Sequence, residues 1–266
     1  MSNILVTGIP RSGTTLVSAL IDGLPDAVCL NEPDWQAGNF TPNPTNYAKW
    51  LVGDFVKVRR RLLLGESVPE RRAADGSAVT NYYKLDPESN AVKTNYTTVR
   101  FTRPGLSENF SLAIKHNGPY MGALPAIAEL AWFRIVAVVR NPIDVIHSWR
   151  SLDLPISRGE MPNATAYWPA LAELTARPMD LLERQVRIYD LICRRLVDLR
   201  PYIHLLTYEA LRADPQALTQ ATAIAGEPNR ALIDKPSREV PVEERDKIHA
   251  ALRYFGEYYR AFYPDM

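Results

Sequence analysis

The chain has 266 residues, 46% hydrophobic and 23% charged, and its 31 Lys+Arg against 30 Asp+Glu leave a net charge of +1. That balance excludes a disordered chain and a nucleic-acid binder whose whole surface is basic, and the length suffices to bury a core without disulfides. Cys29 and Cys193 each sit in an apolar run without CxxC pairing, so neither a zinc site nor a disulfide framework is expected and a reducing compartment suits them. No run approaches the roughly 18 apolar residues of a membrane span, and the start lacks the basic residues and cleavage site of a secretory signal. The expectation is a cytoplasmic α/β protein with no nucleic-acid partner and no membrane span, its oligomeric state open.

Ile4 to Thr7 is a short β-branched, apolar run ending in glycine and reads as a buried strand. From Gly13 to Ile21 the apolar positions Leu16, Val17, Leu20 and Ile21 recur at helical spacing, and Gly23-Leu24-Pro25 stops the helix. A second strand, Ala27 to Leu30, runs into Asn31-Glu32-Pro33. Residues 36–110 lack a clean α/β alternation and read as an insertion or lid within one domain spanning 1–266. They comprise an Asn/Pro-rich stretch from Asn39 to Asn46, a basic helix from Tyr47 to Leu64, a polar segment from Gly65 to Ser89 and an extended run near Thr94 to Thr102.

Alternation resumes with a strand at Phe110 to Lys115, a helix at Met121 to Ala131 and a strand at Phe133 to Val139. Asn141 to Leu152 is a helix with Asn at its cap and Pro at its first position. After a Pro-containing loop come a long helix at Met179 to Leu199, a strand at Tyr202 to Thr207, short helices over Tyr208 to Ala225 and a closing helix at Val242 to Phe262. Nearly all-apolar strands separated by helices predict a central parallel sheet covered on both faces.

Gly8-Ile9-Pro10-Arg11-Ser12-Gly13-Thr14-Thr15 lies between the first strand and the first helix. In that context backbone N–H groups and the helix dipole favour an anion. The frame is that of a P-loop, but Thr14 stands where a nucleotide kinase needs its lysine, and the cation is Arg11, inside the loop. A glycine-containing turn with no ligand is the plain alternative. The second segment, Arg140-Asn141-Pro142-Ile143-Asp144-Val145-Ile146-His147-Ser148, puts an arginine at a strand's carboxyl end and a serine on the next helix. Ligands of open parallel sheets bind beyond those ends, so Arg140 is expected to face the same crevice as the first loop. Otherwise Arg140 pairs with Asp144, and Ser148 belongs to the helix surface.

Together the two segments resemble the sulfotransferases that use 3′-phosphoadenosine 5′-phosphosulfate (PAPS). Pro10 to Thr15 is similar to their 5′-phosphosulfate loop, and Arg140 with Ser148, eight positions on, to their 3′-phosphate motif. Arginine in the loop is closer to the tyrosylprotein, carbohydrate and bacterial branches than to the cytosolic phenol and steroid branch. The resemblance implies a P-loop-like sulfotransferase fold, PAPS as donor, PAP as product and no metal. It places Pro10, Arg11, Ser12, Gly13, Thr14, Thr15, Arg140, Ser148 and Tyr208 around the nucleotide. The late Arg-Lys-Gly triplet of the cytosolic branch is absent, and Ser237-Arg238 is its candidate stand-in.

Sulfuryl transfer, like phosphoryl transfer, is in-line displacement with charge growing on the bridging oxygen. Arg11 and the loop N–H groups suit that charge, at about 3 kcal/mol per well-aimed donor. The acceptor hydroxyl needs a base. The resemblance to the tyrosylprotein branch favours Glu32, which would need its pKa raised by burial to work well, with His116 the rival and Lys115 an assistant to Arg11. The basic runs Arg59-Arg60-Arg61 and Arg71-Arg72 either guide an anionic acceptor, help close a lid or form a solvated helix face. The expected acceptor is a small molecule, a carbohydrate or a peptide. The rival readings are a P-loop kinase or NTPase without its lysine, and a non-catalytic nucleotide-binding module.

Overall fold

The structure, a computed structural model, describes residues 2–37, 43–85, 92–234 and 239–266. In chain order its elements are β1 (Asn3–Gly8), α1 (Thr14–Asp22), β2 (Ala27–Asn31), α2 (Asp34–Ala37), α3 (Pro44–Leu63), β3 (Val68–Arg72), β4 (Tyr83–Leu85), β5 (Val92–Thr94), β6 (Thr97–Phe101), β7 (Ser111–Lys115), α4 (Gly118–Glu129) and β8 (Arg134–Val139). There follow α5 (Pro142–Arg150), α6 (Pro162–Thr165), α7 (Pro169–Ala176), α8 (Leu181–Asp198), β9 (His204–Thr207), α9 (Tyr208–Ala213), α10 (Gln216–Thr222), α11 (Arg230–Ile233) and α12 (Val242–Phe255).

Five strands form one parallel sheet in the order β2-β7-β1-β8-β9, flanked by helices as the alternation predicts. Successive side chains of a strand face opposite sides. Ile4 and Val6 accordingly join the apolar layer under α1, α9, α10 and α11, while Leu5 joins the layer under α3, α4, α5 and α8. The order sets β1 at the centre, so the loops after β2, β7, β1, β8 and β9 share one edge of the sheet.

The segment 36–110 is more ordered than its composition suggests. α3 buries Tyr47, Leu51, Phe55, Val58 and Leu62 in the main core, so it is part of the body rather than a lid. The extended run expected near Thr94 to Thr102 contains β6, which pairs antiparallel with β3 of the polar segment, and β4 pairs with β5. β3 alternates in burial, but two of its three inward residues are Glu70 and Arg72. Their partners are distant: Glu70 accepts from the Asn31 N–H at 3.1 Å, and Arg72 Nη1 lies 2.8 Å from Asp22 Oδ2. Arg71 between them reaches Glu32 Oε2 at 3.2 Å.

The basic runs are in large part tied into the body, while Arg60 stays on the solvated face of α3. Arg59 is buried and donates to the Phe110 and Ser2 carbonyls at 2.5 and 2.9 Å, and Arg61 pairs with Glu66 at 3.3 Å. The final helix ends at Phe255, earlier than its pattern implies, because Asp190 accepts from the N–H groups of Glu257 and Tyr259, each at 2.9 Å, and holds a separate turn at Tyr258–Ala261. Residues 39–42 of the Asn/Pro-rich stretch, 86–89 of the polar segment and Ser237-Arg238 lie outside the described residues.

Candidate active site

The loop after β1 is shaped by close backbone approach. Gly8 has φ +154°, and a Cβ there would stand 2.2 Å from the Val138 carbonyl oxygen. Ile9 N–H donates to that carbonyl at 3.1 Å, as does Ser12 Oγ at 2.9 Å, which joins the loop to β8. Ser12 also spends its N–H on Ile9 O at 3.0 Å; both its donors shape the loop, and its side chain is fully buried. Trp149 Nε1 donates to Pro10 O at 2.8 Å, a second tie to the β8–α5 unit. Gly13 caps α1 with φ +97°, and a Cβ there would meet the Tyr208 ring at 2.7 Å. That close approach requires glycine and leaves the α1 amino terminus facing a cavity of about 670 Å³.

Pro10, Arg11, Gly13, Thr14, Thr15, Arg140, Ser148 and Tyr208 all border this cavity. Arg11 Nε donates to Ser148 Oγ at 3.1 Å and its Nη1 to Asn81 Oδ1 at 3.1 Å. Arg140 lies 4.5 Å from the Tyr208 ring centroid and pairs with Asp144 at 2.9 Å, while its buried Nε has no partner. Both readings of Arg140 are thus realised together. Burial lowers the Arg11 pKa; Tyr83 opposes the shift and the like charge of Arg140 adds to it. Two guanidiniums close enough to repel, one with an orphaned donor, suit an anion between them.

On the other side of β1 lie Glu32 and Lys115. Lys115 Nζ is 2.5 Å from Glu32 Oε1 and 4.8 Å from the Tyr82 ring centroid. With Arg71 on its other oxygen, Glu32 is held from both sides. Burial raises its pKa, but Lys115, His116 and Arg71 outweigh burial and bring it down to about 2. That reverses the direction expected for a buried base. Glu32 has φ +43° and Arg11 φ +70°, so two of the non-glycine residues in the left-handed region are candidate catalytic groups.

His116 does not border the cavity. It is buried, 5.6 Å between ring centroids from Tyr120, with Nδ1 unpartnered. Burial, against the pull of Glu32, lowers its pKa to about 4, so it is neutral at neutral pH. Its pull on Glu32 is that of the charged imidazolium and operates only below about pH 4.

Asn81 and Asn117 escaped the sequence reading, and Arg71 was expected only as part of a basic run. Asn81 restrains Arg11, Arg71 restrains Glu32, and Asn117 Nδ2 donates to Thr14 Oγ1 at 3.1 Å. Asn81 and Arg71 belong to the segment without α/β alternation, where spacing gives no pointer to the crevice. Asn117 had a signal, as the second residue after the strand Phe110 to Lys115, at the same edge as the loop.

Among the described residues no group of three or more His, Cys, Asp or Glu side chains is placed to hold a metal ion. No helix in the described residues is long and apolar enough to cross a membrane. A family model described as "Sulfotransferase family" matches residues 3–224, which include all five strands of the parallel sheet and every cavity-bordering loop residue discussed above. No curated protein matches the chain.

Proposed function

The chain belongs to the sulfotransferase family, and from that premise we propose that it moves the sulfuryl group of PAPS to an acceptor hydroxyl. The observation that carries this reading is the Arg11–Ser148 hydrogen bond at 3.1 Å, which joins the two anion segments over one cavity. The orphaned Arg140 Nε and the α1 amino terminus, which border the same cavity, fit a ligand with an anionic group at each end.

PAPS as substrate supplies an activated sulfuryl group whose departure leaves charge on the 5′-phosphate. Arg11 and the N–H groups at the start of α1 stabilise that charge without reorganising, because Ser148 and Asn81 already hold the guanidinium. Arg140, laid on Tyr208, and Ser148 grip the 3′-phosphate. Glu32 takes the proton of the acceptor hydroxyl, and Lys115 keeps it ionised and aimed. His116, buried and away from the cavity, is the weaker candidate for the base.

Calorimetry with PAP and with ATP–magnesium tests the donor. The expected result is saturable PAP binding that Arg140→Ala weakens. Tighter binding of ATP–magnesium than of PAP would instead support the kinase or NTPase reading. PAP binding without transfer to any hydroxyl would support a non-catalytic module.

A further inference from the structure

α5 turns one face to the cavity: Asp144, His147, Ser148 and Ser151, at helical spacing, all border it. Asp144 is taken by Arg140 at 2.9 Å, and Ser151 Oγ donates to the Ser148 carbonyl at 3.1 Å. Ser148 Oγ accepts from Arg11 Nε at 3.1 Å, so its own proton is left for another partner. His147 is the member of this face still without a role.

His147 is 7% exposed, and its Nε2 is buried with no hydrogen-bond partner among the described residues. Its Nδ1 lies 2.8 Å from Oε2 of Glu244, in the first turn of α12. Glu244 Oε1 is engaged too, by Arg150 Nε at 3.4 Å, and Arg150 Nη1 donates to Gln185 of α8 at 3.4 Å. Both carboxylate oxygens are thus tied to α5. A carboxylate only accepts, so Nδ1 carries the proton and Nε2 is the corner of the ring left open. A buried polar atom on a cavity wall calls for a partner in what fills the cavity. Arg140 Nε is a second such atom on the same strand–helix unit.

We infer that His147 is a further ligand-binding residue, its Nε2–H a third donor beside Arg140 and Ser148 to the phosphate they hold, and that Glu244 is its positioning residue. The inference rests on the PAPS reading above. A phosphate dianion offers acceptors alone, so this contact needs the imidazolium, and a carboxylate on one side with a phosphate on the other favours that form. A ribose hydroxyl or an adenine amine at Nε2 would meet a lone pair instead and need no added proton. The charged side chains near this corner are Asp144 and Arg150 on α5, Arg140 after β8 and Arg11 after β1. Of the elements packed on α5, α12 brings Glu244 and α8 brings Gln185 and the buried Tyr189. The turn Pro155–Arg158 brings Arg158, already paired with Asp153 at 2.6 Å, and Glu160 also borders the cavity.

The test compares PAP, by calorimetry, with 5′-AMP, which lacks the 3′-phosphate, by displacement of PAP. His147→Ala should weaken PAP about tenfold or more and leave 5′-AMP within about twofold. His147→Gln, whose amide N–H can stand where Nε2 does, should restore most of the PAP affinity. Between about pH 7 and 9 a phosphate monoester stays doubly ionised. Over that range the wild-type preference for PAP over 5′-AMP should fall about tenfold as the imidazolium loses its proton. Glu244→Gln should move that fall to lower pH, and His147→Gln should abolish it. Equal loss of PAP and 5′-AMP in His147→Ala overturns this inference and leaves the donor reading standing. So does a wild-type preference unmoved by pH, a result that needs no variant to fold. If PAP does not bind the wild-type protein, the donor reading fails and takes this inference with it.

Discussion

Arg11 Nε stands 3.1 Å from Ser148 Oγ although the residues are 137 positions apart. One belongs to the loop after β1 and the other to the helix after β8, so one hydrogen bond fixes the distance between those two segments. Arg11→Ala should cut turnover by about 10²- to 10³-fold while leaving the melting temperature within a few degrees. Ser148→Ala should cost about tenfold in PAP affinity, the double variant falling short of the sum because the residues touch. Near-normal turnover in Arg11→Ala would overturn the assigned role.

Glu32 is held by Lys115 and Arg71, and its pKa of about 2 places the acid limb of kcat/KM far below neutrality. Removing a cation favours the protonated form. In Arg71→Ala the limb should therefore move up toward the ordinary carboxylate range, near 4.5. Glu32→Gln should lose about 10²- to 10⁴-fold in kcat and keep PAP affinity. A pH profile unmoved by Arg71→Ala would show that Glu32 is not the group being titrated.

Two buried groups should bend the stability curve in opposite senses. His116 titrates at about 4 in the folded chain against its ordinary 6.5, so the unfolded chain holds the extra proton between those values. Its contribution is whole above 6.5 and is lost as the pH falls toward 4, at up to roughly 1.4 kcal/mol per unit. Burial, only partly offset by the Asn31 bonds and Arg72, raises Glu70 to about 8 from its ordinary 4.5. Its contribution is whole below 4.5 and is lost as the pH rises through 8. Urea melts across pH 4 to 9 should show His116→Gln flattening the acid side and Glu70→Gln the alkaline side. Identical slopes in wild type and variants would contradict these assignments.

The parallel sheet and the tight turn after β1 were legible because their signals are local. β1 and β8 are continuous apolar runs, and Gly8 and Gly13 sit where only glycine fits. β3 was not, because its buried face includes Glu70 and Arg72, whose partners Asn31 and Asp22 lie 39 and 50 positions away. A period-2 pattern of charges reads as solvent-facing unless those partners are known. The state of Glu32 was hidden for the same reason: burial alone predicts a raised pKa, and the cations that reverse it arrive from β3 and β7. Ser12 looked like a ligand by its place in the loop, yet its hydroxyl faces Val138. Gly256 did mark the true end of the last helix, in plain view after Phe255.

Three consecutive residues of β3 each grasp the main body: Glu70 at Asn31, Arg71 at Glu32 and Arg72 at Asp22, the final residue of α1. Separating a buried ion pair such as Arg72–Asp22 costs about 3–5 kcal/mol by itself. This strand pair is therefore a fixed jamb and not a swinging door. The β3–β6 pair should keep its place when a ligand enters the cavity.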